Sequence, residues 1–551
     1  MKRLMPFLLV PLLLATLLTA CGGSDPSRDS SLKEIKVAYD PNKAELFEDL
    51  LKTYNARASV KVRGQKLEIP QILEAIPAGD LIAVSPDSAL WLESFDRAYQ
   101  ESHPETSSII GTTVRYATTP VVIATWRGRE GELGVAGERG WASLLQRSSR
   151  DVSYRWSHGS PRASASGMLA LTAEFYAGAK KTFGLTKADA DQEDVRRYVS
   201  EIEKTIARYG GESDAALIEY LLKEGPNALS AMVMPEASVF DFNRRSQNAK
   251  LYAIQPAEGT LMLDHPLVLL ETANLTPEQR RAFLDFSRFL TGPDGQSIVV
   301  KHGYRPVDLA FDASKSPLGG QGLSTNQPRL LQMPSTGTLS YLRAAWSSGL
   351  KRRANIILVV DVSGSMEGEK LKRTREALTS FIKQVPSDEE RVGLITFSSD
   401  VEEAVPLGRL GDNRQKLLSR ADQLTAGGNT ALFYAVWRAH RLLVQMNDAE
   451  RINVVVAMTD GQENASSNFS GRNLSRVGTV PRITGNGATD VDPLRRALTQ
   501  SGPGIQIFTV GYGAEVDLNM LSSLATSFGG QAYRADPETI RKLYELISQN
   551  F

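Results

Sequence analysis

Five oxygen-bearing side chains in the C-terminal third of this sequence are spaced so that they could bind a divalent metal ion. Asp361, Ser363 and Ser365 follow one apolar run, Thr430 lies in a glycine-rich turn, and Asp460 ends a second apolar run. Carboxylate and hydroxyl oxygens are hard ligands that suit Mg²⁺, Mn²⁺ or Ca²⁺. Each motif alone is also ordinary turn or helix-capping chemistry. The metal interpretation therefore depends on all of them meeting at one place.

The apolar runs around these residues predict an α/β domain over residues 351–551. Continuous apolar runs of this length are typical of parallel strands that are buried on both faces. In an open parallel sheet, ligands bind at the carboxyl ends of the strands, which is where the candidate ligands lie. The predicted strands are 356–360, 392–397, 452–458 and 505–510, and the predicted helices are 369–385, 432–444, 493–499, 518–528 and 537–547.

This arrangement resembles the von Willebrand factor A family and its metal-ion-dependent adhesion site. Asp361, Ser363 and Ser365 match the D-x-S-x-S motif, Thr430 the loop threonine and Asp460 the strand-end aspartate. The resemblance implies a doubly wound, Rossmann-like domain in which the serines and the threonine bind metal directly and the aspartates often act through water. It also implies that a carboxylate of a protein partner completes the coordination. The polar segment 462–490 is either a surface insertion or the rim around that partner.

Residues 34–312 carry a second α/β pattern, for which the alternation of elements predicts a parallel sheet. Strands are expected at 35–39, 81–84 and 121–124, and helices at 44–54, 192–209 and 277–290. The segment 313–350 is rich in Ser, Gly, Pro, Gln and Asn in its first half. It is predicted to be an inter-domain linker or an irregular packing segment, with a short helix over 341–350.

Three short segments of this region resemble bacterial extracellular solute-binding proteins of the type II periplasmic fold. They are Pro-Ala-Glu-Gly-Thr at 256–260, Asp-His-Pro at 264–266 and Gly-Tyr-Arg-Pro at 303–306. The resemblance implies two α/β lobes that are joined by crossover strands and enclose a ligand cleft. The crossings are expected near 119–125 and near 236–260.

The cleft residues are less clear from the sequence than the metal ligands. Hydroxyls at 160–167 precede an apolar helix, and a helix start of this kind is a natural anion site. Arg162 could oppose an anion or could be a solvated surface residue, and a structural role is favoured for His265. Each candidate hydroxyl could equally be a helix cap or a turn. The candidate ligand residues are Ser88, Thr118, Thr119, Ser164, Ser166 and Glu236.

The N-terminus is predicted to be a targeting segment. Lys2 and Arg3 precede the apolar run 5–18, which is short for a membrane-spanning helix. The following Leu-Thr-Ala-Cys resembles the bacterial lipobox, in which Cys21 is lipidated and carries palmitate. An ordinary secretory signal is the alternative, although Cys21 is the single cysteine of the chain. The lipoprotein interpretation gives a signal peptide at 1–20, a tether at 21–33 and an anchor at the cell membrane facing outside the cytoplasm.

Composition and missing motifs narrow the classes of function. The 63 basic and 63 acidic residues balance to zero net charge, which disfavours nucleic acid as a partner. The phosphate-binding loop, the HExxH motif and the GxSxG elbow are missing, so we expect a protein that is not an enzyme. The favoured function is metal-dependent binding of a protein partner by a lipid-anchored protein whose N-terminal domain binds a small solute or acts as a scaffold. The alternatives are a substrate-binding component of an ABC-type transporter and, more distantly, a hydrolase.

Overall fold

The computed structural model describes residues 32–151, 153–210, 214–307, 316–321, 323–385, 387–460, 491–498, 504–513, 516–530 and 532–535. The predicted signal peptide, Cys21, the segment 462–490 and the helix 537–547 lie outside these ranges. Within them, none of the helices has the length and apolar character that crossing a membrane requires.

Strands of the described chain form three sheets, and helices cover the faces of those sheets. The strands are β1 Glu34–Tyr39, β2 Lys61–Lys66, β3 Ala83–Ser85, β4 Ile110–Arg115, β5 Ala117–Trp126, β6 Trp156–Gly159, β7 Ile206–Gly210, β8 Ala231–Pro235, β9 Leu251–Ile254, β10 Met262–Leu263, β11 Pro266–Leu270, β12 Arg305–Pro306, β13 Ala354–Asp361, β14 Arg391–Phe397, β15 Val401–Arg409, β16 Ile452–Thr459, β17 Ile505–Tyr512 and β18 Ala532–Ala535. The helices are α1 Ala44–Arg57, α2 Ile69–Ala75, α3 Leu92–Ser102, α4 Trp141–Arg150, α5 Ala165–Ala179, α6 Lys187–Ala190, α7 Glu193–Lys204, α8 Asp214–Glu224, α9 Glu236–Arg245, α10 Pro277–Thr291, α11 Pro293–Lys301, α12 Thr336–Ala345, α13 Glu369–Gln384, α14 Leu410–Asp422, α15 Leu432–Met446, α16 Asp492–Leu498 and α17 Leu518–Ser527.

The first two sheets form the cores of two lobes, here called lobe one and lobe two. Lobe one has the strand order β2-β1-β3-β11-β4, and lobe two has the order β10-β5-β8-β6-β7, with β9 and β12 also paired to β5. Both sheets are mixed, because β11 runs antiparallel to its neighbours and β5 runs antiparallel to β8 and β9. The prediction of a purely parallel sheet in this half is therefore wrong. Because the chain leaves each lobe and later returns to it, some strands enter the sheet in the opposite direction to the others.

The chain crosses between the lobes at three places. It passes from β4 to β5 near Tyr116, returns between β10 and β11 at Asp264 and His265, and crosses again from α11 to β12. The first crossing lies just before the predicted 119–125. The second crossing lies just after the predicted 236–260, a range in which α9 and β9 belong to lobe two.

The predicted helix 192–209 is shorter in the structure. Helix α7 ends at Lys204, and Ile206 begins strand β7. Thr205 stands at the break, where its hydroxyl accepts hydrogen bonds from Trp156 Nε1 at 2.8 Å and from Ser148 Oγ at 2.9 Å. The apolar spacing of residues 195–206 is compatible with one long helix and with a helix followed by a strand. The hydrogen bonds to Thr205 favour the helix followed by a strand.

The segment that was predicted as a linker packs against lobe two. Leu342 and Trp346 are buried, and a π-helical turn at Trp346–Leu350 follows α12. These side chains belong to one continuous hydrophobic core, which runs from lobe two into one face of the third sheet. Arg352 Nη1 also donates to the carbonyl oxygen of Ile206 at 2.6 Å. The described part of the segment thus has the character of a packing segment, and we call the shared apolar region the junction core.

The third sheet forms the C-terminal domain and has the order β15-β14-β13-β16-β17-β18. Its described pairs are parallel except β14 with β15. All four predicted strands are confirmed, each extended by up to two residues at its ends. Strand β13 pairs with β14 on one side and β16 on the other, so the chain order reverses between β13 and β16. In doubly wound sheets, the carboxyl ends at such a reversal form a ligand-binding crevice.

Candidate metal centre and inter-lobe cleft

Asp361 ends the central strand β13 and is fully buried. Its Oδ1 accepts a hydrogen bond from the Ser363 backbone N–H at 2.8 Å, and its Oδ2 accepts one from Thr459 Oγ1 at 2.6 Å. Burial raises the pKa of Asp361 to about 6, against the lowering effect of these hydrogen bonds. The neighbouring strand end therefore fixes the orientation of this carboxylate.

Three further predicted ligands meet beside it. Ser363 Oγ lies 3.1 Å from Ser365 Oγ, and Ser365 Oγ donates to Asp460 Oδ1 at 2.7 Å. Oxygen separations of about 3 Å are those of neighbouring ligands around a hard cation whose metal–oxygen bonds are about 2.1 Å. Ser365 is exposed, so this side of the cluster opens to solvent. The donor set fits Mg²⁺, Mn²⁺ or Ca²⁺.

Thr430 reaches the same edge through a glycine turn. The Gly364 backbone N–H donates to the Gly428 carbonyl oxygen at 3.0 Å, which ties the Thr430 loop to the Ser363 loop. Gly428 has a φ of 84°, and a Cβ at this position would lie 2.7 Å from Ser399 Oγ. Ser399 Oγ in turn accepts from the Asn429 backbone N–H at 2.8 Å. Thr430 itself is buried, and contacts with the loops that follow β13 and β14 hold its own loop at this edge.

Lys370 is a part of this edge that the sequence interpretation missed. It lies in the first turn of α13, and its Nζ donates to Asp460 Oδ2 at 2.5 Å. The Asp460 side chain is buried, whereas that of Lys370 is 39% exposed. The ammonium group already neutralises one of the predicted metal ligands, so a cation that binds here competes with it.

In the inter-lobe cleft, two predicted residues lie together at the start of α5. Ser164 Oγ caps the helix by accepting from the Gly167 backbone N–H at 3.1 Å. It also lies 2.8 Å from Ser166 Oγ, which donates to Asp214 Oδ1 at 2.8 Å. Burial raises the pKa of Asp214 to about 7. The predicted anion site at this helix start therefore contains a carboxyl group of the protein itself.

The other predicted cleft residues are held by contacts within the protein. Thr119 Oγ1 accepts from the Ala237 backbone N–H at 3.0 Å, and Thr118 Oγ1 lies 3.5 Å from the Arg305 carbonyl oxygen. Glu236 and Arg305 are both buried and form a two-contact ion pair at 2.9 and 3.1 Å. These contacts tie β5 to β12 and to the start of α9.

Ser88 lies on the lobe-one side, where its hydroxyl accepts from the Leu90 backbone N–H at 3.3 Å and lies 3.4 Å from Asp264 Oδ1. His265 is buried at the second crossing, with its ring edge-on to Tyr304 at a centroid distance of 5.0 Å. A packing role for His265, as predicted, agrees with this position.

Acidic groups on lobe one face the same cleft. Asp40 and Asp87 are buried together with Lys43, whose Nζ donates to Ser85 Oγ at 3.0 Å. Burial raises the pKa of both carboxyl groups and lowers that of Lys43 to about 8. Asp214 of lobe two lies close enough to Asp87 for the two charges to repel, so the cleft contains carboxyl groups from both lobes.

The lobes also bond directly, since Asn42 Oδ1 accepts from the Ala215 backbone N–H at 2.9 Å. Arg162, a candidate anion partner, is half-buried and lies close enough to Arg343 of α12 for the two charges to repel.

Comparison with known protein families agrees with this architecture. Residues 35–305 match the family model of bacterial extracellular solute-binding proteins, and residues 355–546 match that of the von Willebrand factor type A domain. The chain joins a solute-binding domain to a von Willebrand factor type A domain. The second is called the VWA domain below.

Relatives of the chain include heavy chains of inter-alpha-trypsin inhibitor. Heavy chain 4 of mouse inter-alpha-trypsin inhibitor is 29% identical over 187 residues, which cover 33% of this chain and 18% of that protein. The pig heavy chain H4 is 23% identical over 343 residues, covering 60% of this chain and 32% of its own length. The chain therefore matches less than a third of the length of each of these relatives.

Solved structures resemble each half separately. A von Willebrand factor type A protein from Catenulispora acidiphila is 18% identical with a TM-score of 0.29, covering 36% of this chain and 43% of its own. A ferric binding protein from Campylobacter jejuni is 11% identical with a TM-score of 0.41, covering 56% of this chain and 96% of its own.

Different signals could have found the missed residues. In the VWA domain, Lys370 follows the D-x-S-x-S motif and lies in the first turn of the next helix. Its position near the motif could therefore have been predicted from the local sequence. In the solute-binding domain, Asp40 and Asp87 follow neighbouring strands of lobe one, and contact between the lobes brings Asp214 of lobe two close to Asp87.

Proposed function

We propose that this protein is a lipid-anchored, extracytoplasmic binding protein whose VWA domain grips a protein partner through a divalent metal ion. Asp361, Ser363, Ser365, Thr430 and Asp460 would hold that metal at the carboxyl edge of the sheet. A bound Mg²⁺, Mn²⁺ or Ca²⁺ would supply a positive centre for a carboxylate of the partner. The solute-binding domain would bind a small solute or serve as a scaffold.

The observation that carries the proposal is the open cluster of Ser363, Ser365 and Asp460. Their oxygens lie 2.7 to 3.1 Å apart, and the exposed Ser365 leaves a side from which a partner can approach. The glycine turn beside Thr430 leaves room there as well, because nothing lies within 4 Å of a Cβ built on Gly427. Hard oxygen donors and an open side are what a metal that binds a second protein requires.

The test is capture of a partner from an extract of the cell envelope with the full-length protein. We expect a partner to be retained in Mg²⁺ and released by EDTA. Asp361→Ala should abolish capture, with circular dichroism used to show that the fold is kept. Asp422→Ala is the matched control, because Asp422 is an exposed aspartate at the end of α14. Capture that survives EDTA or Asp361→Ala would contradict the metal-dependent function.

The lipid anchor is tested separately. Wild-type protein should label with radioactive palmitate in cells and sediment with membranes, because an acyl chain on Cys21 partitions into the bilayer. Cys21→Ser should lose the label and appear in the soluble fraction. A Cys21→Ser protein that still sediments with membranes would contradict anchoring at this residue.

A second function, the substrate-binding component of an ABC-type transporter, is supported by the family match over residues 35–305. Three acidic groups in the cleft favour a cationic or amine-bearing solute over an anion. Thermal shift measurements with a library of such solutes should give a stabilising ligand whose effect is lost in Asp87→Asn. A stabilising anion, with cations inactive, would contradict the expected charge.

A further inference from the structure

Lobe two contains a second group of metal-ligand side chains, far from the VWA edge in the sequence. It consists of His158 on β6, Glu174 on α5 and Glu203 on α7, and all three are fully buried. His158 Nε2 lies 3.3 Å from Glu203 Oε1 and 3.9 Å from Glu174 Oε1. One potential ligand atom of each residue lies within 4.8 Å of the corresponding atoms of the other two.

The imidazole of His158 is oriented by the backbone. Its Nδ1 lies 2.6 Å from the carbonyl oxygen of Gly159, and a carbonyl oxygen can only accept, so Nδ1 carries a proton. In a neutral ring, Nε2 then presents a lone pair toward the two carboxylates. A backbone carbonyl on the far nitrogen is the usual outer contact of a metal-binding histidine.

Two buried carboxylates beside Nε2 need a positive charge, which either protons or a metal ion can supply. A proton on Nε2 would balance one carboxylate, and Glu174 would then need a second proton. Among the described residues, no donor reaches the oxygens of Glu174 with good hydrogen-bond geometry, and its polar neighbour is the carboxyl group of Glu203. Burial and this neighbouring carboxyl group raise the pKa of Glu174 well above its usual range. A divalent cation held between the three side chains would balance the charges of both carboxylates.

We propose that His158, Glu174 and Glu203 bind a first-row divalent cation such as Zn²⁺ or Mn²⁺. One imidazole and two carboxylates form a borderline donor set of the kind that these ions accept. Ligands of a tetrahedral zinc ion lie about 3.3 Å apart, which is the separation of His158 and Glu203. Glu174, whose Oε1 lies 3.9 Å from His158 Nε2, would supply the third ligand.

Such an ion ties three elements that meet next to the junction core. Strand β6 leads into the loop before Ser164, α5 carries Ser164 at its start, and α7 packs against the turn at Trp346–Leu350. The ligands are buried, so the ion has to enter as the lobe folds, and its binding adds to the free energy of unfolding. This position predicts slow exchange, whereas the open VWA edge should lose its metal quickly.

The experiment uses this difference in exchange. Folded full-length protein is dialysed against EDTA, which empties the VWA edge, and the retained metal is measured by plasma mass spectrometry. We expect about one first-row divalent ion per chain to remain, both in wild type and in Asp361→Ala. Protein that is unfolded in EDTA and refolded with Zn²⁺ alone should melt at a higher temperature than protein refolded without it.

Glu174→Gln separates a metal site from a network of shared protons, because glutamine imitates the protonated acid. A metal site predicts that retained metal falls at least about tenfold and that the Zn²⁺-dependent shift on refolding disappears. Glu201→Gln, an exposed change on helix α7, which also carries Glu203, should alter neither measurement. The proposal is overturned if Glu174→Gln retains metal as wild type does. It is equally overturned if wild type retains none and shows no shift with Zn²⁺.

Discussion

The edge of the VWA sheet that carries the candidate metal ligands and the cleft of the solute-binding domain contain the same types of side chain. They differ in how far those side chains are exposed. Both collect carboxylates and serine hydroxyls where strands end and helices begin. At the VWA edge, Ser365 is exposed and its partners leave one side open, whereas Ser164, Ser166 and Asp214 in the cleft bond to one another and are buried. The first arrangement is open to a ligand from outside, whereas the second is closed by hydrogen bonds between α5 and the start of α8 within lobe two.

The largest expected effect tests whether Glu236 stabilises the fold or binds a ligand. Glu236→Ala leaves Arg305 buried without its partner, so we expect the free energy of unfolding to fall by about 3–5 kcal/mol in urea denaturation. Glu271→Ala removes an exposed pair with Arg280 and should cost about 1 kcal/mol or less. A Glu236→Ala protein of normal stability that no longer binds solute would make Glu236 a ligand residue and weaken the contrast.

The next effect concerns the open edge. Ser365→Ala should lower Mg²⁺ affinity at least about tenfold in titration calorimetry, because a ligand position is lost. Since Ser365 is exposed, the melting temperature should hardly change. Ser419→Ala, an exposed serine on α14, should keep wild-type affinity. If Ser365→Ala unfolds the domain instead, the edge is a structural cluster like the cleft.

For Ser164→Ala we expect the reverse of the Ser365→Ala result, namely a loss of stability without a loss of ligand binding. It removes the cap of α5, so the free energy of unfolding should fall by about 1 kcal/mol. Ser335→Ala removes the cap of α12 and should cost a similar amount. Equal losses in urea denaturation agree with capping, whereas normal stability combined with lost solute binding would give Ser164 a ligand role.

The smallest expected effect is at Lys370. Lys370→Gln removes a positive charge next to Asp460, so Mg²⁺ affinity should rise severalfold, by about 1 kcal/mol or less at this partly exposed position. Lys372→Gln lies on the same helix but pairs with Glu369, and its affinity should stay unchanged. An affinity that falls in Lys370→Gln would mean that the lysine positions Asp460 for the metal.

Local spacing explains how much the sequence could predict. Strands β13, β14, β16 and β17 of the VWA domain are apolar runs, and the candidate ligands follow at strand ends, so these strands and the meeting of Asp361, Ser363, Ser365 and Asp460 could be predicted from the pattern. Strand β15 carries charged residues and β18 is short, so neither was predicted. The mixed strand directions of the two lobes could not be predicted, since they depend on pairing between distant segments. Ile206 was misassigned because its spacing suits a helix, while contacts to Thr205 end that helix.

The junction core shows a further limit of composition. The Ser- and Gly-rich start of 313–350 suggests a free linker, yet Leu342 and Trp346 later in the segment join two sheets into one apolar region. The buried group of His158, Glu174 and Glu203 is equally invisible in the sequence, because its members come from three separate elements.

The central position of β13 has a mechanical consequence. Asp361 lies at one end of this strand, and Arg352, just before its other end, is bonded to lobe two. A partner that pulls on the metal edge while the N-terminal part of the chain is held loads β13 along its length. Its backbone hydrogen bonds to β14 and β16 then resist together in shear, so the strand cannot be peeled away one bond at a time. Such a geometry favours a slow rate of forced unfolding, which is the quantity that decides how long a protein bears a load.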